Sequence, residues 1–95
     1  TITANSDRRL KENIETIPNA LEKVQAITGV TFDRNDLEDS RQTGVIAQDV
    51  EAVLPEAVRE NDEGIKSVAY GNMVGLLIEA IKELKAEIDE LKKNK

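Results

Sequence analysis

The pattern of apolar positions is clearest toward the C-terminus, where Tyr70, Val74, Leu77, Ile81, Leu84, Ile88 and Leu91 recur at steps of four and three. This is a heptad seam, with Val74, Ile81 and Ile88 at a and Tyr70, Leu77, Leu84 and Leu91 at d. It predicts a helix over residues 69–93, a rod of about 37 Å at about 1.5 Å per residue. Lys82, Glu83, Lys85, Glu87, Asp89, Glu90 and Lys92 surround the seam with mixed charge, as on the solvated flank of a coiled coil. The last two heptads hold little else that is apolar, and the chain offers no obvious partner helix of its own. Other copies are therefore expected to cover the seam; the alternative is an amphipathic helix packed on its own domain. β-branched residues at a with Leu at d favour two strands by the simple rule, and no Asn at the clear a positions enforces that number.

Ahead of this helix the pattern is short and mixed. Pro18 suits the first position of a helix. Leu21, Val24 and Ile27 then recur at helical spacing, and Gly29 suits the residue just past its end. Val30-Thr31-Phe32 reads as a strand, Asp33 to Gln42 as an exposed polar loop, and Val45-Ile46-Ala47 as a second apolar run. Gln48 to Leu54 predicts a short helix that buries Val50, Val53 and Leu54 and stops at Pro55. Ala57-Val58-Arg59 and Ile65 to Val68 flank the turn-forming Asn61-Asp62-Glu63-Gly64, the signature of a hairpin. The expected fold class is α+β: a small mixed domain of short strands and helices over residues 6–68, then the long helix over 69–93.

Composition sharpens the expectation of assembly. Ninety-five residues fit one small domain, which buries only about 60 to 65 per cent of its unfolded surface. Phe32 and Tyr70 are the only aromatics, so the core must be aliphatic. The chain has no Cys and no His, which excludes disulfides and a Cys/His metal site. Domains of this size without such staples rely on partner subunits. The net charge of −6 argues against a nucleic-acid partner. The longest apolar run, Met73 to Ile78, is too short to span a membrane, and Thr1 to Ser6 has neither the basic start nor the apolar stretch of a signal peptide. Asp33, Asp36, Glu38 and Asp39 lack the spacing and glycine of an EF-hand, so no metal and no cofactor is expected.

Candidate chemistry lies at the other end, in Ser6-Asp7-Arg8-Arg9-Leu10-Lys11. A serine nucleophile needs a base, and with histidine absent that base is a lysine in its neutral form. The Ser6 hydroxyl adjoins the carbonyl of Asn5, so the chain itself brings nucleophile and target together. Arg8 and Arg9 could supply the nearby cation that favours a neutral Lys11, while Asp7 and Glu12 would oppose it. Five residues of regular helix turn through about 500°, which would separate the pair. The dyad therefore needs a non-helical turn, or a lysine from a neighbouring subunit. The bland reading makes Ser6 the N-cap of a short helix. Gln48 reads either as an interface residue or as a polar cap on its helix.

With Ser6-Asp7-x-Arg9-x-Lys11 followed by Ile14, then Gly44-Val45-Ile46-Ala47-Gln48-Asp49-Val50, Pro55-Glu56-Ala57-Val58 and Tyr70, the chain resembles the intramolecular chaperone auto-processing domain. That domain ends phage tail spikes, tail fibres and endosialidases, and has a relative in a eukaryotic membrane-bound transcription factor family. The resemblance runs from Ser6 to about Leu91. It implies a homotrimer, where the seam alone leaned towards a dimer, with Val74, Leu77, Ile81, Leu84, Ile88 and Leu91 at the trimer seam. It implies that Ser6 and Lys11 are the catalytic serine and its general base, and that Asn5–Ser6 is the cleavage site. Residues 1–5 would then be a remnant of an upstream β-rich fibre and residues 6–95 the chaperone. The implied setting is the host cytoplasm during virion assembly, with release from the mature virion component after cleavage. A non-catalytic trimerisation module is the alternative.

Overall fold

The computed structural model describes residues 3–37 and 41–94. Thr1 and Ile2 of the expected upstream segment, and Glu38 and Asp39 of the acidic loop, lie outside the described residues.

Helix α1 spans Ala20–Gln25 and starts after Pro18, because Asn19 takes a left-handed conformation (φ 52°) as its N-cap. It also ends before Gly29. A tight turn in which the Ile27 N–H donates to the Val24 carbonyl at 3.0 Å closes the helix without a positive-φ residue. Gly29 is thus no helix cap; it opens strand β1, Gly29–Phe32. β1 pairs antiparallel with β2, Gln42–Val45, so that Gly29 faces Val45 and Phe32 faces Gln42. Helix α2, Ala47–Val53, fully buries Val50, and Leu54 beyond it is buried too; Val53 is half-buried. Pro55 opens a 3₁₀ turn to Ala57, as a residue with no N–H to leave unpaired.

The expected hairpin is present. β3, Val58–Glu60, pairs antiparallel with β4, Lys66–Val68. Gly64 supplies the positive φ (81°) of its turn. The Asn61 side-chain oxygen accepts from the N–H groups of Glu63 and Ile65, both at 2.9 Å. Lys66 ties the hairpin to α2, its ammonium 2.8 Å from both Glu51 and Glu60. Glu51 first, then Glu60, raises the Lys66 pKa above the ordinary lysine range.

Tyr70–Met73 is a 3₁₀ turn, where Gly71 and Asn72, both weak helix formers, replace the regular start expected of the long helix. Helix α3 follows over Val74–Lys93, about 30 Å of rod. It does have a partner helix within the chain. α1 packs against its first half, where Leu76 and Ala80 join Ala20, Val50, Leu54, Ala57 and Met73 in one core. Each fully enclosed side chain, Leu76 and Val50, contributes about 1.5–3 kcal/mol by burial.

The stripe through Leu76 and Ala80 is not the heptad seam but lies roughly 90° around the helix from it. Val74, Leu77, Ile81, Leu84, Ile88 and Leu91 all remain exposed, Ile81 and Leu91 at 66%. One helix thus carries two apolar faces, one filled by its own domain and one open. The chain is correspondingly extended, with a radius of gyration of 16.6 Å against about 12.4 Å for a compact domain of this length.

Candidate functional site

Ser6 and Lys11 flank a 3₁₀ turn, Arg8–Leu10. The turn is tighter than an α-helix, and Lys11 leaves it in an extended conformation (φ −121°, ψ 141°), so the chain doubles back. The Lys11 ammonium donates to the Ser6 hydroxyl oxygen at 2.6 Å. The non-helical turn that a dyad within one chain requires is therefore present. Ser6 does not act as the N-cap. That place belongs to Asp7, whose carboxylate accepts from the Arg9 N–H at 2.9 Å.

Asp7 also takes up the Arg9 guanidinium, at 2.8 Å. That side-chain contact, followed by the backbone one, holds the Asp7 carboxyl below the ordinary carboxylate range and pushes Arg9 up. Arg9 is thereby engaged within its own turn, and Arg8 is left as the cation nearest Lys11 in sequence. Ser6, Lys11 and the rest of residues 3–16 are all exposed. The acids of the β1–β2 loop that lie among the described residues face arginines: Asp33 pairs with Arg41 at 3.1 Å, and Asp36 with Arg34.

The second motif, Gly44 to Val50, performs packing work. A β-carbon on Gly44 would stand 2.5 Å from the Tyr70 hydroxyl oxygen, and that oxygen accepts from the Val45 N–H at 3.3 Å. Only glycine lets the phenol lie across β2. Gln48 caps nothing, since α2 is entered from Ile46 with no side-chain cap. In Pro55 to Val58, Ala57 is fully buried and its carbonyl accepts from the Ala69 N–H at 2.7 Å, joining the motif to the entry of α3.

One residue read only as a solvated flank has a defined role. The Glu83 carboxylate accepts from the N–H groups of Ala20 and Leu21, at 2.8 and 2.9 Å, and so satisfies the free donors at the start of α1 in place of an N-cap side chain. These N–H groups, Leu21 first and then Ala20, hold the Glu83 carboxyl below the ordinary range; partial burial opposes them and Lys23 adds a smaller pull. No local pattern signals a cap delivered across more than sixty residues.

A family model described as chaperone of endosialidase matches residues 6–59, from Ser6 to the first strand of the second hairpin. The long tail fibre protein Gp37 of Enterobacteria phage K3 is 39% identical over 90% of this chain, which corresponds to 8% of that protein. Gp37 of Enterobacteria phage Ox2 is 40% identical over 92% of the chain and 38% of its own length, and Gp37 of Escherichia phage AR1 is 35% identical over 82% and 8%. The chain thus spans well under half of these relatives. The model match covers more than half of the sequence and begins at the serine that the geometry pairs with Lys11. The chain belongs to the chaperone of endosialidase family.

Proposed function

We propose that this chain is a trimeric C-terminal chaperone for a phage tail fibre, which cuts itself from the fibre at Asn5–Ser6. The observation that carries the catalytic part is the 2.6 Å contact between the Lys11 and Ser6 side chains, within the reach a general base needs. With Lys11 neutral the contact runs in reverse, and the hydroxyl donates its proton to Nζ. Two routes follow. In one, the acyl group shifts from nitrogen to oxygen, Lys11 returns the proton to the departing amine, and water hydrolyses the ester. In the other, the activated group assists direct attack by water. Both leave a carboxylate on Asn5 and a free amine on Ser6. The name of the matching family model is that of a peptidase family, which supports this reading.

The chaperone part is kinetic. The seam gathers three chains, raising the effective concentration of whatever precedes them, and sets their register before slow, aggregation-prone β pairing begins. Cleavage then removes the route back and leaves the product kinetically trapped. This setting is the host cytoplasm during virion assembly. The accessible surface of 8095 Å² supports obligate assembly, since a compact monomer of this mass exposes about 5,400 Å².

The exposure of both Ser6 and Lys11 favours a second reading, a non-catalytic trimerisation module. The deciding experiment expresses the chain behind its native fibre and weighs the C-terminal product. A fragment beginning at Ser6, absent from Ser6→Ala, is expected; a chain that stays whole with a folded, trimeric fibre leaves only the module.

A further inference from the structure

The N-terminal arm and the body of the domain present unmatched apolar surfaces. In the arm, Leu10 is 68% and Ile14 58% exposed, on either side of Lys11. The arm joins the body at Ile17, whose side chain lies 3.6 Å from where a β-carbon on Gly75 would stand. An apolar groove opens elsewhere on α3, walled by Val24, Ile27, Val45, Tyr70 and Leu77 over Met73. Gly75 and Leu77 are two residues apart, about 200° around a helix. The arm therefore leaves on one flank of α3, and the groove opens on the other.

We infer that the arm of one copy crosses to the next copy and seats Leu10 and Ile14 in its groove, so that a neighbour encloses each Ser6–Lys11 pair. The inference rests on the trimer proposed above and adds a site that needs two chains. In a ring closed about the seam, opposite flanks of neighbouring subunits face each other, a heterologous contact that closes. Tyr70 and Leu77 belong to both groove and seam, so the two surfaces are continuous. The surface area agrees. The surplus over a compact monomer, about 2,700 Å², exceeds the roughly 1,600 Å² that two standard interfaces cover on one subunit. Leu10 lies seven residues before the anchor at Ile17, a reach of at most about 23 Å at about 3.3 Å per extended residue.

The chain contains no cysteine, which makes cross-linking unambiguous. Ile14→Cys combined with Ile27→Cys is expected, on oxidation, to give a covalent trimer in a non-reducing gel that neither single variant gives. A disulfide confined to the monomer band would show the arm filling its own groove and would overturn the inference. So would a sedimenting trimer with no bond between chains, which leaves the seam intact. A monomer in sedimentation removes the trimer and the inference together. Independently of cysteines, Leu10→Ser with Ile14→Ser is expected to keep the trimer mass but speed hydrogen exchange at the Ile27 and Val45 amides by about 10-fold or more. Unchanged exchange overturns the inference.

Discussion

The phenol oxygen of Tyr70 occupies the space that a β-carbon on residue 44 would need, 2.5 Å from that position. Gly44 is therefore required by close approach; its φ is not positive. Gly44→Ala should destabilise the domain by about 1–3 kcal/mol through overpacking. Adding Tyr70→Phe should recover part of that loss by removing the clashing oxygen, a coupling that a double-mutant cycle in urea would read. Additive losses would mean that the contact does not limit packing.

The open face of α3 gives the second prediction. Ile81→Ala with Leu84→Ala removes aliphatic volume from every subunit of a seam while touching nothing in the internal core, which rests on Leu76 and Ala80. The expected loss is about 2–5 kcal/mol per buried side chain, and sedimentation should show monomers or unfolded chains. A stable trimer would rule out the seam.

Glu83 makes the third. Its carboxyl is held below the ordinary range in the folded chain, so the folded state favours the ionised form more than the unfolded state does. The stability this contributes is present above the ordinary glutamate pKa and is lost as pH falls through the lower folded value. Glu83→Gln should lower the urea midpoint near neutral pH and flatten the acid limb of the stability profile. Equal shifts at every pH would mean that the capping charge is not what matters.

The fourth concerns the base. Lys11→Ala should slow cleavage by at least about 100-fold. Lys11→Arg should fail equally, because a guanidinium keeps its proton. Efficient cutting in Lys11→Arg would show that Lys11 is not the base.

Much of this fold is legible in the chain because local rules decided it. The Asn61–Gly64 turn, the stop at Pro55 and the period of α3 each follow from backbone chemistry within a few residues. The start of α1 does not, because Asn19 and Glu83 set it together, Glu83 through a contact distant in sequence. The two faces of α3 were also only half legible. A heptad shows which positions are apolar, whereas the stripe through Leu76 and Ala80 becomes visible only once α1 packs on it. At the site, the Ser6–Lys11 spacing pointed to the pair, but the tight turn between them depends on Asp7 and Arg9 closing on each other.

The serine and its lysine lie in one chain, 2.6 Å apart. In the proposed assembly three scissions are therefore separate chemical events, each with its own clock. The slowest of them decides when the chaperone departs, since a single intact strand tethers all three helices through the seam. Detachment then works as a coincidence test, and assemblies mixed from intact and Ser6→Ala chains should keep the chaperone on the fibre whenever one strand is uncut.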